Sequence, residues 1–349
     1  MKRALILAVV VGAAVVAVPA GARASGAGLP GVCAGTAPIV CHYDVPPGNY
    51  QVSVLLGDRD EAAVTGVRAE ARRMMLAETA TEPGQFVRRE LRVNVREPEG
   101  EPTLPDLGTP GLTLTFTGSA PRVRHVEVRP ARPAGTVLYL AGDSTVCDQG
   151  IAPYTGWGQA IPQHLRGSVT VANYADSGES SGSFLADARL WGAMVPLVRR
   201  GDIVLIQFGH NDKTTTAEDY RANLTRMITG LRAVHARPVL VSPPVRRRFD
   251  SAGKLDDVAR HVNSLGVNLP AEMQTVATEQ QVPYINLTAD SAELVEGLGV
   301  EPSKQIYLDG EIRDNTHFSE YGADRIGLLV LARLRQTHLL PPSSFRDLP

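Results

Sequence analysis

Val137-Leu-Tyr-Leu-Ala141 runs directly into Gly142-Asp143-Ser144-Thr145. Five apolar residues without polar alternation suit a strand buried on both faces, as in a parallel sheet. Four more such runs follow: Val169-Thr-Val-Ala172, Ile203-Val-Leu-Ile206, Pro238-Val-Leu-Val-Ser242 and Pro283-Tyr-Ile-Asn-Leu287. Helical patterns lie between or after them, over 217–234, 258–280 and 321–335. Strands alternating with helices predict an α/β domain, a parallel sheet covered on both faces, over 136–338. Ligands of such sheets sit at the carboxyl ends of the strands, so the loops after these five runs are expected to carry the chemistry.

Upstream the texture changes. Tyr50-Gln-Val-Ser-Val-Leu-Leu56, Phe86 to Val95 and Leu112-Thr-Leu-Thr-Phe116 alternate, and Val123, Val126 and Val128 close the series. Turn signals at 46–49, 57–58, 82–84 and 109–111 separate these stretches. Short alternating strands with Gly/Pro turns predict a smaller all-β sandwich over 36–130. Pro130-Ala-Arg-Pro-Ala-Gly135 reads as a linker over 131–135, and residues 339–349 read as a C-terminal tail.

At the amino end, a basic Met1-Lys2-Arg3 precedes 15 apolar residues, Ala4 to Val18, and then Ala22-Arg23-Ala24. That run is shorter than the about 20 residues of a membrane-spanning helix. It predicts a signal peptide over 1–24, cleaved near Ala24, a secreted protein, and no membrane association afterwards. Cys33 and Cys41 are expected to pair in that oxidising setting, leaving Cys147 as a buried thiol. No cysteine has zinc-ligand spacing with histidine, so no metal is expected.

The 349 residues carry 35 basic against 37 acidic side chains. Without Lys2, Arg3 and Arg23 the basic residues fall to 32, a net charge of −5. Such a balance argues against nucleic acid as a partner. With 43% hydrophobic residues and no repeat, the chain is neither disordered nor a coiled coil.

Three loops hold candidate chemistry. Ser144 follows the first apolar run and is either an exposed nucleophile or a helix cap. Asn211, in Gly209-His210-Asn211-Asp212, can donate its amide to an oxyanion or merely close an Asx turn. In Asp314-Asn315-Thr316-His317, a carboxylate three residues before an imidazole can reach its Nδ1 and leave Nε2 for a serine proton. Each signal alone is weak. Together they supply three different roles to one sheet.

The ordered blocks Gly142-Asp143-Ser144-Thr145, Gly178, Gly209-His210-Asn211-Asp212 and Asp314-x-x-His317 resemble those of the SGNH (GDSL) hydrolases. Gly156-Trp157-Gly158, Ala175-x-x-Gly178-x-Ser180-Ser181, Gln207-Phe208 and Pro243-Pro244-Val245-Arg246-Arg247-Arg248 resemble the rhamnogalacturonan acetylesterase branch. The likeness spans 136–338 and implies a three-layer α/β/α flavodoxin-like fold. The β-rich part more loosely resembles carbohydrate-binding-like sandwiches fused to some bacterial members. Its removal is expected to spare turnover of a small ester.

The resemblance implies a triad of Ser144, His317 and Asp314, with an oxyanion hole from the backbone N–H groups of Ser144 and Gly178 and the Asn211 amide. Asp143 and Asp212 are expected to fix loops, and Trp157, Glu179, His210, Arg246 and Arg247 to support the site or touch substrate. No cofactor is implied. The expected partner is an acetylated polysaccharide or oligosaccharide, pectic rhamnogalacturonan first, acted on by a monomer. Acetylxylan, other acetyl sugars and short-chain lipid esters are alternatives, as is a non-catalytic carbohydrate-binding protein.

Two departures qualify the substrate: Glu179 and Gly182 stand where related esterases often carry arginine. The acid at Glu179 argues against a strongly anionic ligand unless it pairs with Arg246, Arg247 or Arg248. Those arginines also read as a solvated loop paired with Asp250. Trp157 reads as core packing or a sugar platform, and Trp191 as packing. His164, His235, His261 and His338 read as surface or capping residues.

Overall fold

The computed structural model describes residues 31–104, 108–132 and 135–346, and the expected leader over 1–24 lies outside them. Eight antiparallel strands come first: β1 (Val32–Ala34), β2 (Ile39–Tyr43), β3 (Gly48–Leu56), β4 (Ala63–Ala69), β5 (Arg73–Thr81), β6 (Val87–Val95), β7 (Leu112–Ala120) and β8 (Val123–Pro130). They form a five-stranded sheet, β1-β2-β7-β4-β5, and a three-stranded sheet, β6-β3-β8. One core is shared by both: Val52, Val54, Leu91 and Val93 from the smaller sheet meet Val67, Leu112, Leu114 and Phe116 from the larger. Period-two alternation puts these residues on one face of each strand. Cys33 lies opposite Cys41 in the β1–β2 register, and a disulfide joins them.

β4 and β5 are not foreseen by alternation. Met, Ala and Glu dominate the middle of β5, residues with little strand preference, and the sheet neighbours decide instead.

Five parallel strands follow: β9 (Thr136–Ala141), β10 (Val169–Asn173), β11 (Ile203–Ile206), β12 (Arg237–Val241) and β13 (Tyr284–Ile285). Their order is β10-β9-β11-β12-β13, the flavodoxin-like arrangement in which the chain leaves β9 to either side. Helices α1 (Trp157–Ala160), α2 (Ser181–Ala186), α3 (Trp191–Met194), α4 (Ala217–Ala233), α5 (Leu269–Glu279), α6 (Leu287–Leu298), α7 (Asp309–Ile312) and α8 (Glu320–Gln336) complete it. α1, α6 and α8 pack on one face of the sheet and α2 to α5 on the other, each face with its own apolar core. Trp191 packs against the second core.

Three boundaries differ from expectation. The helix expected over 258–280 begins only at Leu269, where Asn268 caps the Ala271 N–H and Pro270 occupies the first turn. The run expected over 283–287 is a strand for two residues only, because Asn286 caps α6 by accepting from Ala289 N–H. The expected tail from 339 packs into the core through Leu339, Leu340 and Phe345.

The two regions do not meet as beads on a linker. Arg73 of β5 is an enclosed cation whose Nε and Nη2 reach Asp148 at 2.8 and 2.6 Å, each side chain only 1% exposed. Asn173, at the end of β10, donates to the other oxygen of Asp148 at 2.9 Å. Arg68 and Arg72 converge on Glu320 at the start of α8, and Arg96 donates to the Asn173 carbonyl. Such buried pairing argues against the separability expected of the β-rich region.

Removing one partner of a buried pair strands the other charge. Arg73→Ala should therefore lower unfolding free energy by about 3–5 kcal/mol, read from the urea midpoint of the whole chain. Glu70 and Glu99 lie in the same interface. Burial, with the neighbouring Glu99 charge, lifts the Glu70 carboxyl from 4.5 to about 8, and burial lifts Glu99 to about 7. The folded state then holds protons that the unfolded chain releases first. Stability should be fullest below pH 4.5 as far as Glu70 is concerned, and fall as pH rises towards about 8. Glu70→Gln should flatten that slope in thermal melts taken across the window; an unchanged slope would contradict it.

Candidate active site

The site lies where the strand order reverses, at the carboxyl edge of β10, β9 and β11. Ser144 follows β9, Gly178 follows β10 and Asn211 follows β11. Backbone bonds hold these loops side by side: Asp176 N–H donates to the Gly142 carbonyl at 3.1 Å and Gln207 N–H to the Ala141 carbonyl at 2.9 Å. Asn211 Nδ2 donates to the Glu179 carbonyl at 3.1 Å, linking the second and third loops.

The Ser144 loop is locked from behind. Asp143 is fully buried and accepts from Thr145 N–H at 2.9 Å and Thr145 Oγ1 at 2.7 Å, while its own carbonyl accepts from Val146 and Cys147. Burial pushes the Asp143 carboxyl up, but His210 and the Thr145 donors outweigh it and hold it below its usual value. Gln207 bonds Thr145 Oγ1 through Nε2 at 2.9 Å and accepts from Trp157 Nε1 at 2.7 Å. Gly142 is needed for closeness: a Cβ there would stand 2.6 Å from Val146 Cγ2. Ser144 remains 7% exposed at the tip.

His317 reaches it from the loop between α7 and α8. Its Nε2 is 2.9 Å from Ser144 Oγ, and its Nδ1 is 2.7 Å from Asp314 Oδ2. The other carboxylate oxygen accepts the backbone N–H groups of Thr316 and His317 at 2.8 and 3.0 Å. Burial opposes charge on Asp314, yet these donors and the imidazole hold its carboxyl well below the usual range. The loop is anchored by fully buried Phe318, whose backbone bridges Thr155 and Tyr307. Tyr154 sets its ring edge-on to the imidazole at 5.4 Å.

Gly178 has φ +82°, a left-handed backbone that favours glycine, and nothing lies within 4 Å of where its Cβ would stand. Asp212 is buried and accepts Ser181 Oγ at 2.6 Å and Thr215 Oγ1 at 3.1 Å; burial raises its carboxyl. It fixes the loop beneath Asn211.

Other expected contributors lie elsewhere. Trp157 is 0% exposed and belongs to the core, so it offers no sugar platform. Arg247 is spent on Asp309 at 3.0 Å and Ser303 Oγ at 3.1 Å. Arg248 pairs with Asp256, not Asp250, at 2.6 Å. Among the described residues Glu179 forms no ion pair with any of the three arginines, because Arg246 turns to Thr316 Oγ1 and the His210 carbonyl. His210 is buried 3.3 Å from Asp143 Oδ2, and burial pushes its imidazole below the usual value against the pull of that carboxylate. His261 is no surface residue: it is buried 4.4 Å from the His210 ring and bonds the Pro244 carbonyl at 2.7 Å. His164 meets Asp324 at 2.6 Å, and His235 and His338 end helices with positive φ.

Tyr154, Gln149 and Glu101 escape sequence reasoning. Gln149 Nε2 donates to the Ser144 carbonyl at 2.8 Å, and Glu101 enters from the β-rich region to meet Cys147 and Ser177. None stands in a motif, and only the packed chain brings them here. Among the described residues no cluster of three or more His, Cys, Asp or Glu is placed to hold a metal ion, and no helix is long and apolar enough to cross a membrane.

This geometry has relatives. The rhamnogalacturonan acetylesterase RhgT of Bacillus subtilis (strain 168) is 37% identical over 219 residues, covering 58% of this chain and 90% of RhgT. From the same organism, "Probable rhamnogalacturonan acetylesterase YesY" is 30% identical over 58% of this chain and 94% of its own. The crystal structure of B. subtilis YxiM aligns with TM-score 0.54 and 23% identity, over 86% of this chain and 80% of that one. That share is too large for the α/β region alone, so the shared fold reaches into the β-rich region. A profile of the GDSL-like Lipase/Acylhydrolase family matches residues 140–325. The chain is thus a carboxylic ester hydrolase and belongs to the GDSL-like Lipase/Acylhydrolase family.

Proposed function

We propose that this chain is a secreted acetylesterase that removes O-acetyl groups from polysaccharide, pectic rhamnogalacturonan first, through Ser144, His317 and Asp314. The observation that carries the chemistry is the unbroken line Ser144 Oγ–His317 Nε2, 2.9 Å, and His317 Nδ1–Asp314 Oδ2, 2.7 Å. In this reading His317 Nε2 takes the hydroxyl proton as Ser144 Oγ bonds the ester carbonyl carbon. The Nδ1 proton stays with His317, and ionised Asp314 stabilises the imidazolium without taking it.

Collapse of the tetrahedral intermediate breaks the bond to the sugar oxygen, which leaves with the proton from His317. Water then attacks the acetyl-serine, giving one proton to His317, and Ser144 recovers that proton as acetic acid departs with the other and ionises in solution. The oxyanion is received by the N–H groups of Ser144 and Gly178 and by the Asn211 amide. Losing one such donor typically costs about 2.7–4 kcal/mol of transition-state stabilisation.

For the substrate, two features support pectin. RhgT, a rhamnogalacturonan acetylesterase, is 37% identical. Beside the Asp314–His317 loop opens a cavity of about 390 Å³, whose lining includes Lys213, Arg246, Arg248 and Asn315. Arg248 is paired with Asp256, and Arg246 is turned to Thr316 and the His210 carbonyl, so Lys213 is the lining cation that would meet a uronate carboxylate. Export is supported by the leader pattern over 1–24.

Ser144→Ala should lower turnover of p-nitrophenyl acetate by about 10³-fold or more while the thermal melt stays that of the parent. Full turnover would remove Ser144 from the mechanism. Acetate release, measured on acetylated pectin, xylan and chitin fragments, should be fastest on pectin. Preference for xylan would keep the chemistry and reassign the substrate, whereas no release from any would leave the polysaccharide reading without support.

A further inference from the structure

The loop that carries Gly178 is not held by the α/β region alone. Asp176 and Ser177, the two residues before it, are gripped by a segment between β6 and β7 of the β-rich region. Glu101 Oε1 accepts the Ser177 N–H at 3.1 Å and the Cys147 thiol at 3.3 Å. Thr103 donates twice to Asp176, from its N–H at 2.9 Å and its Oγ1 at 2.6 Å. Glu101 is 2% exposed and Asp176 fully buried, so neither set of bonds has water as a ready substitute.

The same contacts reach the nucleophile. Cys147 lies three residues beyond Ser144, and its sulfur also approaches the Ser144 carbonyl at 3.7 Å. Asp176 N–H is tied to the Gly142 carbonyl in the turn that presents Ser144. One buried carboxylate thus touches both the loop before Gly178 and the turn after Ser144.

We infer that Glu101 and Thr103 are positioning residues, a strut by which the β-rich region sets the Gly178 N–H relative to Ser144 for oxyanion binding. Rate then depends on this region because donors must stand at hydrogen-bond distance from an oxygen that exists only in the transition state. Loops anchored on different strands drift apart without such a tie. The inference rests on the assignment of Gly178 and Ser144 above, and its test separates the two.

Kinetics on p-nitrophenyl acetate, with a boronic acid as a tetrahedral mimic, provide that test on the whole chain. Glu101→Ala should lower kcat by about tenfold or more, with KM nearly unchanged and boronate inhibition weakened in step, short of the 10²–10³ lost with a whole donor. Glu101→Gln, whose amide oxygen still accepts the Ser177 N–H, should stay within about threefold of the parent, an estimate from the smaller net value of one retained bond.

Parental kcat in Glu101→Ala, or equal loss in Glu101→Gln, would overturn the strut. Should Glu101→Ala not fold, the Thr103 pair decides: Thr103→Val should lose kcat where Thr103→Ser keeps it, and equal rates would overturn the proposal. Ser144→Ala in the same assay reads the underlying site. If it alone stays active, the nucleophile assignment fails; if it is inactive while Glu101→Ala is unaffected, only the strut fails.

Discussion

A strand buried on both faces can satisfy its backbone only by pairing with its neighbours, and that constraint organises this protein. β9 to β13 are such strands, apolar along most of their length, and their packed side chains leave no room for chemistry. The polar groups of the site gather at the carboxyl edge, where the backbone ladder ends. Because the chain leaves β9 in both directions, the loops after β10 and β11 flank the one after β9 and leave a crevice between them. Ser144, Gly178 and Asn211 occupy those three loops. His317 arrives from outside the sheet, on a loop pinned by a buried phenylalanine.

Around that edge, polar side chains are fixed by other polar side chains in a nearly closed network. Trp157, Gln207, Thr145 and Asp143 form a continuous hydrogen-bonded chain behind Ser144. This explains why a tryptophan stands in a motif without facing solvent: its indole N–H positions the glutamine that holds the turn. These buried bonds stiffen the turn, although Asp143 Oδ2 stays outside them, and a serine on a stiff turn keeps its hydroxyl within reach of His317. Asp212 does the same under Asn211 through Ser181 and Thr215.

The β-rich region enters this network. Arg73, buried against Asp148, Glu101, beside Cys147 and Ser177, and the partly exposed Arg68–Arg72–Glu320 cluster tie it to the Ser144 loop, the Gly178 loop and α8. A pair as enclosed as Arg73–Asp148 is costly to separate, so the two regions hold together across the short connection at 131–135.

The parallel sheet, the long helices α4 and α8 and the catalytic triad candidates were legible in the sequence because local signals carry them, whereas α6 and the short helices were not. Apolar runs without alternation define β9 to β12, and Asp314-x-x-His317 places its own carboxylate within one turn of its imidazole. β4 and β5 were not legible: Gly66 interrupts the Val64, Thr65 and Val67 of β4, and the Met, Ala and Glu of β5 favour no strand by themselves. Neither was the start of α5 at Leu269, where an asparagine cap overrides a longer apolar pattern. The destinations of Arg247 and Arg248, the burial of Trp157 and His261, and the arrival of Glu101 from some forty residues before Ser144 are properties of the packed chain. By itself the sequence pointed to the residues able to do ester chemistry and to the strands that Ser144, Gly178 and Asn211 follow. Only the tertiary structure decided which of them face the substrate and which brace the site. Long-range ion pairs and buried hydrogen bonds join residues whose separation along the chain leaves no periodicity to read.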